Sequence, residues 1–356
     1  MPTNILAIPI KTQDIASRRI FRLALGTALS LVFSQAINWP MSFIAPIFTM
    51  FILALPIPAP SLKGGTKFVL ALVLSVYAGM ALLPFFEYAR WAGILLLILA
   101  LFGCFYYTAH GGSMILGMFM TLGLTFVVTI GSVSVDALLA VAGGLTIGAI
   151  FGIAFVWLAH ALLPEYPPDP NIGANKADRP VPEKPSKPAA RRSAFRALVI
   201  VLPVAIFFLF SSSSVSYVVV MIKVATMGQQ ASSDDNRAMG KSLLESTLWG
   251  GLGAVIGWQI MSIMPSLLLY GLLIALAGLV FGARIFQGAG MHPKASMWSY
   301  AFLTMIVILA PALLDGMGGS NAGSSFYSRL FLFVVIAIYG TVSVAVFDAF
   351  WPQKEV

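Results

Sequence analysis

The sequence predicts an all-α protein, a polytopic transmembrane helical bundle with about twelve spans arranged as two parallel six-span repeats. The first observation behind this prediction is composition: of 356 residues, 59% are hydrophobic and only 10% are charged. Soluble domains average about 45–50% apolar and about 25% charged residues. Because a single water-soluble core stops growing beyond roughly 250–300 residues, this excess indicates a membrane protein. The other two observations are long apolar runs and their recurrence along the chain.

The apolar runs have the length of membrane-spanning helices. A helix needs ~20 apolar residues to cross a bilayer, and turn-forming segments such as Asn38-Trp39-Pro40 and His110-Gly111-Gly112 separate the runs. Alternation with a period of two residues is absent, so the sequence does not support a transmembrane β-barrel. The twelve predicted spans are 20–37, 41–57, 67–86, 91–109, 112–130, 135–163, 196–211, 214–230, 241–263, 265–285, 295–314 and 325–350.

A proline-rich segment divides the spans into two sets of six. Pro164–Ser193 contains eight prolines and charges of both signs, a composition that cannot build a core and favours an extended spacer. The sequence therefore predicts an N-terminal segment, a first repeat, a linker, a second repeat and a short tail. Their boundaries are 1–19, 20–163, 164–193, 194–351 and 352–356.

Matching anchors in the same order indicate an internal duplication. Both halves begin with clustered arginines and a phenylalanine, and both end with Gly152 or Gly340 at the same distance before a proline. The matching pairs are Arg18-Arg19-Ile-Phe21-Arg22 with Arg191-Arg192-Ser-Ala-Phe195-Arg196, Lys63 with Lys241, Gly79 with Gly257, and Ile150-Phe151-Gly152 with Ile338-Tyr339-Gly340. An even number of spans in each half makes the repeats parallel.

The basic residues give the predicted orientation. With the N-terminus, linker and C-terminus in the cytoplasm, nineteen Lys and Arg residues lie inside, and only Arg90 and Arg329 lie outside. This asymmetry follows the positive-inside rule for membrane proteins. The basic residues form no stripe interleaved with aromatic residues, so the net charge of +8 does not indicate nucleic-acid binding.

Several kinds of chemistry are not expected. Cys104 is the only cysteine, which excludes an intrachain disulfide and a multi-cysteine metal site. The three histidines are far apart, and GxSxG, Walker and HExxH motifs are missing, so neither a cofactor nor an enzyme is predicted. Met1–Arg19 has no long apolar stretch of the kind found in a secretory signal.

Charged residues inside spans are the first candidate functional residues, because burying charge in a membrane is costly. Lys223 lies late in the eighth predicted span, and Glu245 lies at the start of the ninth. The two side chains could pair near the cytoplasmic face, or Lys223 could face an anionic substrate. The alternative is that both reach the wet interface.

Other ionisable residues lie near the ends of spans. Asp315 and Arg329 flank the last external loop and form either a loop-closing ion pair or a titrating carboxylate beside an arginine. His160 and Asp348 follow Gly152 and Gly340 at matching positions. Both are predicted near the inner membrane face, which favours a solvated or interfacial location over a proton relay. The candidate proton-coupling residues are Glu245, Asp315 and Asp348.

Each repeat opens with two short spans joined by a tight turn. Prolines interrupt these pairs: Pro46, Pro56, Pro58 and Pro60 in the first, and Pro203 in the second. Short or interrupted spans at matching places in two halves indicate a central transport site, although ordinary kinked packing helices are the alternative. Lys223, Arg22 and Arg196 are the candidate substrate-binding residues.

The Arg-x-x-Phe-Arg start, the short hairpin and a glycine-containing third span resemble the fusaric-acid-resistance-type (FUSC-like) proteins of the aromatic acid exporter superfamily. Asn236-Arg237-Ala-Met-Gly240-Lys241, followed by Gly250-Gly251-Leu-Gly253, carries the closest match. The first repeat departs from it, with Lys67 where arginine is expected. The long cytoplasmic domains of larger exporters are also absent.

The resemblance implies a multi-pass exporter in the bacterial inner membrane. Its substrates would be small aromatic carboxylic acids or related toxic compounds, and its energy would come from the proton gradient. A periplasmic adaptor of the membrane-fusion type would be its partner, and a homo-oligomer remains open. A non-transporting scaffold or subunit of a larger envelope complex is the alternative.

Overall fold

The computed structural model describes residues 12–39, 41–131, 135–165, 185–209, 218–233, 239–288, 290–316 and 322–351. These residues are almost entirely helical. The helices are α1 Thr12–Ile37, α2 Ile44–Leu53, α3 Leu62–Met80, α4 Leu83–Tyr88, α5 Arg90–Ala109, α6 Met114–Gly131, α7 Val135–Leu162, α8 Lys187–Leu209, α9 Val218–Ser233, α10 Met239–Ile263, α11 Leu267–Ile285, α12 Ala295–Gly316 and α13 Ala322–Phe350. Between α11 and α12, strands β1 Phe286–Gln287 and β2 Gly290–Met291 pair antiparallel.

Several helices are suited to crossing a membrane. Within the described residues, six helical segments are long and apolar enough for this, with mean hydropathies of 1.6 to 2.6. The protein is therefore a multi-pass membrane protein. The segments are Asp14–Ile37, Leu62–Tyr88, Arg90–Ala109, Leu138–Leu162, Leu267–Ile285 and Phe326–Phe350.

Some predicted boundaries agree closely with the helices, and others need correction. The predicted spans 91–109 and 265–285 correspond to α5 and α11. The predicted span 41–57 was wrong in length, because α2 has only ten residues, about 15 Å of helix. Pro56, Pro58 and Pro60 follow it in extended chain, where a missing N–H and a fixed φ prevent the helix from continuing.

Two helices begin before the predicted starts of the repeats, and the repeat boundaries themselves stay predictions. Helix α1 begins by Thr12 and α8 by Lys187, so each continues before the predicted boundary at 20 or 194. The linker prediction applies mainly to 166–184, which lies outside the described residues. In the predicted span 67–86, the helix is interrupted between α3 and α4 at Ala81 and Leu82.

The helices pack in two corresponding arrangements. Helix α1 packs against α2 and α7, and α8 packs against α9 and, less extensively, α13. Likewise, α3 packs on α6, and α10 packs on α12. The two groups also interlock, because α1 lies along α11 while α8 lies along α5.

The turn between α1 and α2 lies level with the middle part of α7, although Ile37 and Asn38 are exposed. Asn38 and Met41 adopt positive φ values of 54° and 62°, which reverse the chain tightly. The start of α2 then contacts Gly148, where an added Cβ would lie 2.9 Å from the Ile44 side chain. Because Gly148 is near the middle of α7, the turn lies about 20 Å from either end of that helix.

One end of the bundle carries a concentration of arginines and lysines and is called the basic end here. It includes Arg19 of α1, Arg192 of α8 and Arg284 of α11, and close contacts join α1 to α11 there. For example, Gly282 lies against Ile20, with an added Cβ 3.1 Å from its side chain. This end faces the cytoplasm in the predicted orientation.

Candidate functional site

Helix α9 is the most polar of the helices buried in the bundle. Every side chain from Val220 to Ser232 is buried, because α9 packs against α5, α6, α8, α12 and α13. A fully enclosed helix is normally apolar on all sides. The polar side chains buried along α9 are Lys223, Thr226, Gln229, Gln230 and Ser232.

Lys223 places an ammonium group inside this bundle. It is only 4% exposed, and its Nζ lies 3.2 Å from the Thr304 Oγ1 of α12. Among the described residues, no carboxylate lies within salt-bridge distance of this group. A buried cation with a neutral hydrogen-bond partner is costly, and such a group in a membrane protein marks a functional site by default.

Close packing between α10 and α12 fixes the position of Thr304. Gly250 of α10 faces Thr304 so closely that an added Cβ would lie 2.7 Å from the threonine Cβ. Only glycine permits this approach without displacing α12. The Gly250 position therefore helps to hold the Thr304 hydroxyl beside Lys223.

A narrow crevice beside Lys223 combines this polar group with an apolar wall. It lies between α9, α12 and α13 and is closed in this conformation, with no room for a water molecule. Thr226 and Thr304 are its other polar residues, and its apolar residues include Leu303, Val307 and Phe333. A charged donor next to aliphatic and aromatic side chains suits an anion that has an apolar body.

A second polar contact connects α9 to the first group of helices. The Gln229 Nε2 donates a 2.7 Å hydrogen bond to the Thr121 Oγ1 of α6. Gly117, one turn earlier on α6, leaves space for this amide, because an added Cβ would lie 3.0 Å from the Gln229 Oε1. Helix α9 is therefore hydrogen-bonded both to α12 and to α6.

Arg196 lies at the basic end, in contact with the end of α9. It is 1% exposed and donates from Nη2 to the Ala231 carbonyl oxygen at 3.0 Å. Its Nη1 lies 3.6 Å from Asp348, whose carboxylate also pairs with Arg192 at 2.9 Å. These contacts join the start of α8 to the ends of α9 and α13.

Arg22 makes a corresponding set of contacts in the first group. It is 4% exposed, donates to the Leu163 carbonyl oxygen at 3.0 Å and lies 3.6 Å from Glu165. Arg19 pairs with the same carboxylate at 2.8 Å. Arg22 and Arg196 thus both lie in ion-paired contacts between the start of one helix and the end region of another, which we call the arginine joints at Glu165 and Asp348. Their substrate-binding role stays a prediction.

Of the arrangements that the sequence left open for Lys223 and Glu245, the structure does not show an ion pair between them, and Lys223 does not reach the wet interface. Glu245 lies 3.3 Å from the Nζ of Lys294 and 3.7 Å from that of Lys241, both of them exposed lysines at the basic end. Lys223 is bonded to Thr304 instead. The cause is the length of α9, which continues beyond Lys223 to Ser233. Lys223 therefore lies well inside the bundle and not near the start of the ninth predicted span, where Glu245 lies.

The remaining candidates are placed as follows. His160 is half-buried on α7, with its Nδ1 2.9 Å from the Val156 carbonyl oxygen. Asp315 belongs to α12, but its side chain lies outside the described residues, so its predicted contact with Arg329 stays a prediction. Cys104 is buried in the core, as expected for a packing residue.

Sequence reasoning missed Thr304, Thr121 and Gln229 as members of the site. Gln229 and Gln230 follow Lys223 by six and seven residues in a predicted span that is otherwise apolar there, which was an available signal. The two threonines gave no comparable signal, because a threonine can satisfy itself within a helix through the carbonyl four residues earlier.

A multi-pass helical membrane protein with a buried lysine in its core is the class that the fold and site define. Residues 19–159 match a protein family described as a protein of unknown function (DUF2955). This match covers less than half of the chain and runs from α1 to the last turns of α7. No curated protein and no solved structure matches the chain.

Proposed function

We propose that the protein exports small aromatic carboxylic acids, or related toxic compounds, across the inner membrane of a bacterium. The observation that carries this proposal is Lys223, a buried cation on a fully enclosed helix, next to a crevice with apolar and aromatic walls. Aromatic acids are anionic at pH 7, because carboxyl pKa values lie near 4. Once α9, α12 and α13 move apart to open the crevice, Lys223 can attract the carboxylate while Phe333 and its aliphatic neighbours contact the ring.

The proposed architecture is two parallel six-helix repeats, with α4 counted as a continuation of α3. Corresponding helix pairs support it, since α3 with α6 and α10 with α12 pack in the same way. The arginine joints at Glu165 and Asp348 support it as well, as does the match of one family to α1–α7 alone. In this arrangement α2 and α9 are short inner helices, consistent with a central transport site.

The proposed orientation has both termini in the cytoplasm, supported by the nineteen-to-two distribution of basic residues. Substrate then enters from the basic end and leaves on the opposite side. A potential of 100 mV, negative inside, favours exit of one negative charge by about 2.3 kcal/mol. Proton entry at Glu245, Asp315 or Asp348 would add to this driving force, and a periplasmic adaptor would complete the route to the outside.

Accumulation of a radiolabelled aromatic acid in cells tests the proposal. Cells lacking the protein should accumulate more acid than cells that contain it, and dissipating the proton gradient should abolish the difference. Lys223→Met should behave like the deletion at unchanged protein abundance, because the carboxylate loses its cation. Lys223→Arg should keep part of the export.

Lys63→Met is the matched control, since Lys63 is an exposed lysine at the basic end and is remote from the crevice. Its export should equal that of the wild type. If accumulation is the same with and without the protein across a panel of aromatic acids, in cells that contain the adaptor, export is refuted. The scaffold alternative would then take its place.

A further inference from the structure

A cluster of cations and tryptophans lies at the basic end, on the outer surface of the second group of helices. It is separate from the Lys223 crevice and is called the cationic–aromatic patch here. Helix α10 contributes Lys241, Glu245 and Trp249, and helix α11 contributes Arg284. Trp298 belongs to α12, and Lys294 directly precedes that helix.

Direct contacts make this patch continuous. The Arg284 guanidinium lies over the Trp298 ring, 5.6 Å from its centroid, and Trp298 lies 5.6 Å from the Trp249 ring. One turn before Trp298, Lys294 pairs with Glu245, which also faces Lys241. Two lysines therefore contact one carboxylate, and Arg284 adds a third positive charge, so the patch has a net positive charge.

The cationic side chains are accessible from outside the bundle. The side chains of Lys241 and Lys294 are 76% and 57% exposed, and Arg284 is also exposed. Arg284 stacks on Trp298 with the face of its guanidinium, and this contact leaves its N–H groups unused. Within the described residues, these N–H groups donate no hydrogen bond. All five of its donors are thus available to an anionic group.

An apolar strip continues from the patch along α10, towards the middle of the bundle. Leu248, Leu252 and Ile256 are each about half exposed and follow one another at helical spacing. Trp249, 49% exposed, lies where this strip meets the cations. Tryptophan prefers the boundary between hydrocarbon and head groups, so the patch is at head-group level and the strip faces acyl chains.

We propose that the cationic–aromatic patch binds the head group of an anionic phospholipid, whose acyl chain lies along Leu248, Leu252 and Ile256. The phosphate accepts hydrogen bonds from Arg284 and Lys294, because charged donors bind phosphate oxygens strongly. Basic pockets between transmembrane helices on the cytoplasmic side bind such lipids in this way. Glu245 competes with the phosphate for the two lysines and limits the affinity.

The corresponding end of the first group lacks this chemistry and provides a control. Lys63 and Lys67 of α3 are exposed there, but the end of α5, which corresponds to α11, carries a stack of Tyr106 and His110 instead of an arginine on a tryptophan. General attraction between lysines and an anionic membrane should act equally at both places. A specific site should be confined to the patch.

Native mass spectrometry of the full-length protein in mild detergent tests the proposal. Phosphatidylglycerol and phosphatidylethanolamine with the same acyl chains are titrated separately. We expect the wild type to retain one phosphatidylglycerol in preference to phosphatidylethanolamine. Arg284→Ala and Lys294→Ala should each weaken this retention about fivefold, the effect of one cation near a membrane surface.

Three further variants make the outcome specific. Glu245→Gln should strengthen phosphatidylglycerol retention, because it releases Lys241 and Lys294. Lys63→Ala/Lys67→Ala should leave retention unchanged. Arg284→Lys/Lys294→Arg keeps the charge and should retain the lipid, which separates loss of binding from loss of folding.

Equal retention of the two lipids would overturn the proposal, and so would an equal loss in the Lys63→Ala/Lys67→Ala control. Displacement of the lipid by millimolar inorganic phosphate would also overturn it, since the patch would then recognise a free phosphate. None of these outcomes depends on whether the protein transports aromatic acids.

Discussion

Helices α2 and α9 occupy corresponding places but have opposite chemistry. Each packs against the helix before it in the chain, α1 or α8, and both are buried. Thr49 of α2 and Lys223 of α9 lie the same number of residues after Arg22 and Arg196. The Thr49 hydroxyl lies 2.9 Å from the Ala45 carbonyl oxygen and 3.1 Å from that of Gly152, so it is satisfied within the helices.

This difference shows that burial alone does not identify the site. The buried side chains of helix α2 are apolar except for the Thr49 hydroxyl, which is hydrogen-bonded to backbone carbonyl oxygens. Helix α9 instead brings an ammonium group and two amides into the same kind of environment. A duplicated arrangement can therefore keep one copy as packing while the other acquires binding chemistry. The predictions below test that division.

Thr49→Lys should have the largest effect on stability. The new ammonium group would be buried without a partner, at a cost of several kcal/mol. We expect little folded protein, measured as the monodisperse fraction after extraction in mild detergent. Thr49→Val loses only the hydroxyl contacts and should cost about 1 kcal/mol. A Thr49→Lys protein as stable as the wild type would show that α2 tolerates charge as α9 does.

The contacts of Gly152 and Gly340 give the next prediction. A Cβ on Gly152 would lie 2.8 Å from the Phe48 Cβ and 3.2 Å from the Ala45 carbonyl oxygen, atoms that cannot move without α2. A Cβ on Gly340 would meet the Sδ of Met227, the end of a flexible side chain. Gly152→Ala should therefore destabilise the protein by about 1–3 kcal/mol, and Gly340→Ala by less.

Thermal unfolding in detergent measures this pair of variants directly. The midpoint should fall further for Gly152→Ala than for Gly340→Ala. An equal fall would mean that α9 is as rigidly packed against α13 as α2 is against α7. That result would remove one of the differences between the two inner helices.

The sequence predicted the long membrane helices well because their apolar runs are long and end in turn residues. Helices α5 and α11 agree with the predicted 91–109 and 265–285 within two residues. The α2 boundary was harder, because apolar residues continue on both sides of its ten residues and only the later prolines end it.

The site was predicted only in part. Lys223 stood out because a charge within an apolar run is expensive. Its partner could not be read from the sequence, since Thr304 is 81 residues away and depends on the packing of α12 against α10 at Gly250. The joints at Glu165 and Asp348 did have a signal, namely clustered arginines in the first helix of each group and an acid near the end of the last helix.

The smallest expected effect concerns the hydrogen bond between Gln229 and Thr121, which joins α9 to α6. Thr121→Val and Gln229→Leu each remove one partner, and the double variant completes a cycle that isolates the pair. A neutral buried hydrogen bond contributes about 1 kcal/mol, so we expect a coupling energy of that size from unfolding in detergent. The same cycle on Thr49 and Ser30, whose hydroxyls lie 3.1 Å apart within the first group, is the control.

If transport requires α9 to move relative to α6, Thr121→Val should also change the export rate, whereas Ser30→Ala should change stability alone. Equal effects of both variants on export would contradict a special role for the contact between the two groups.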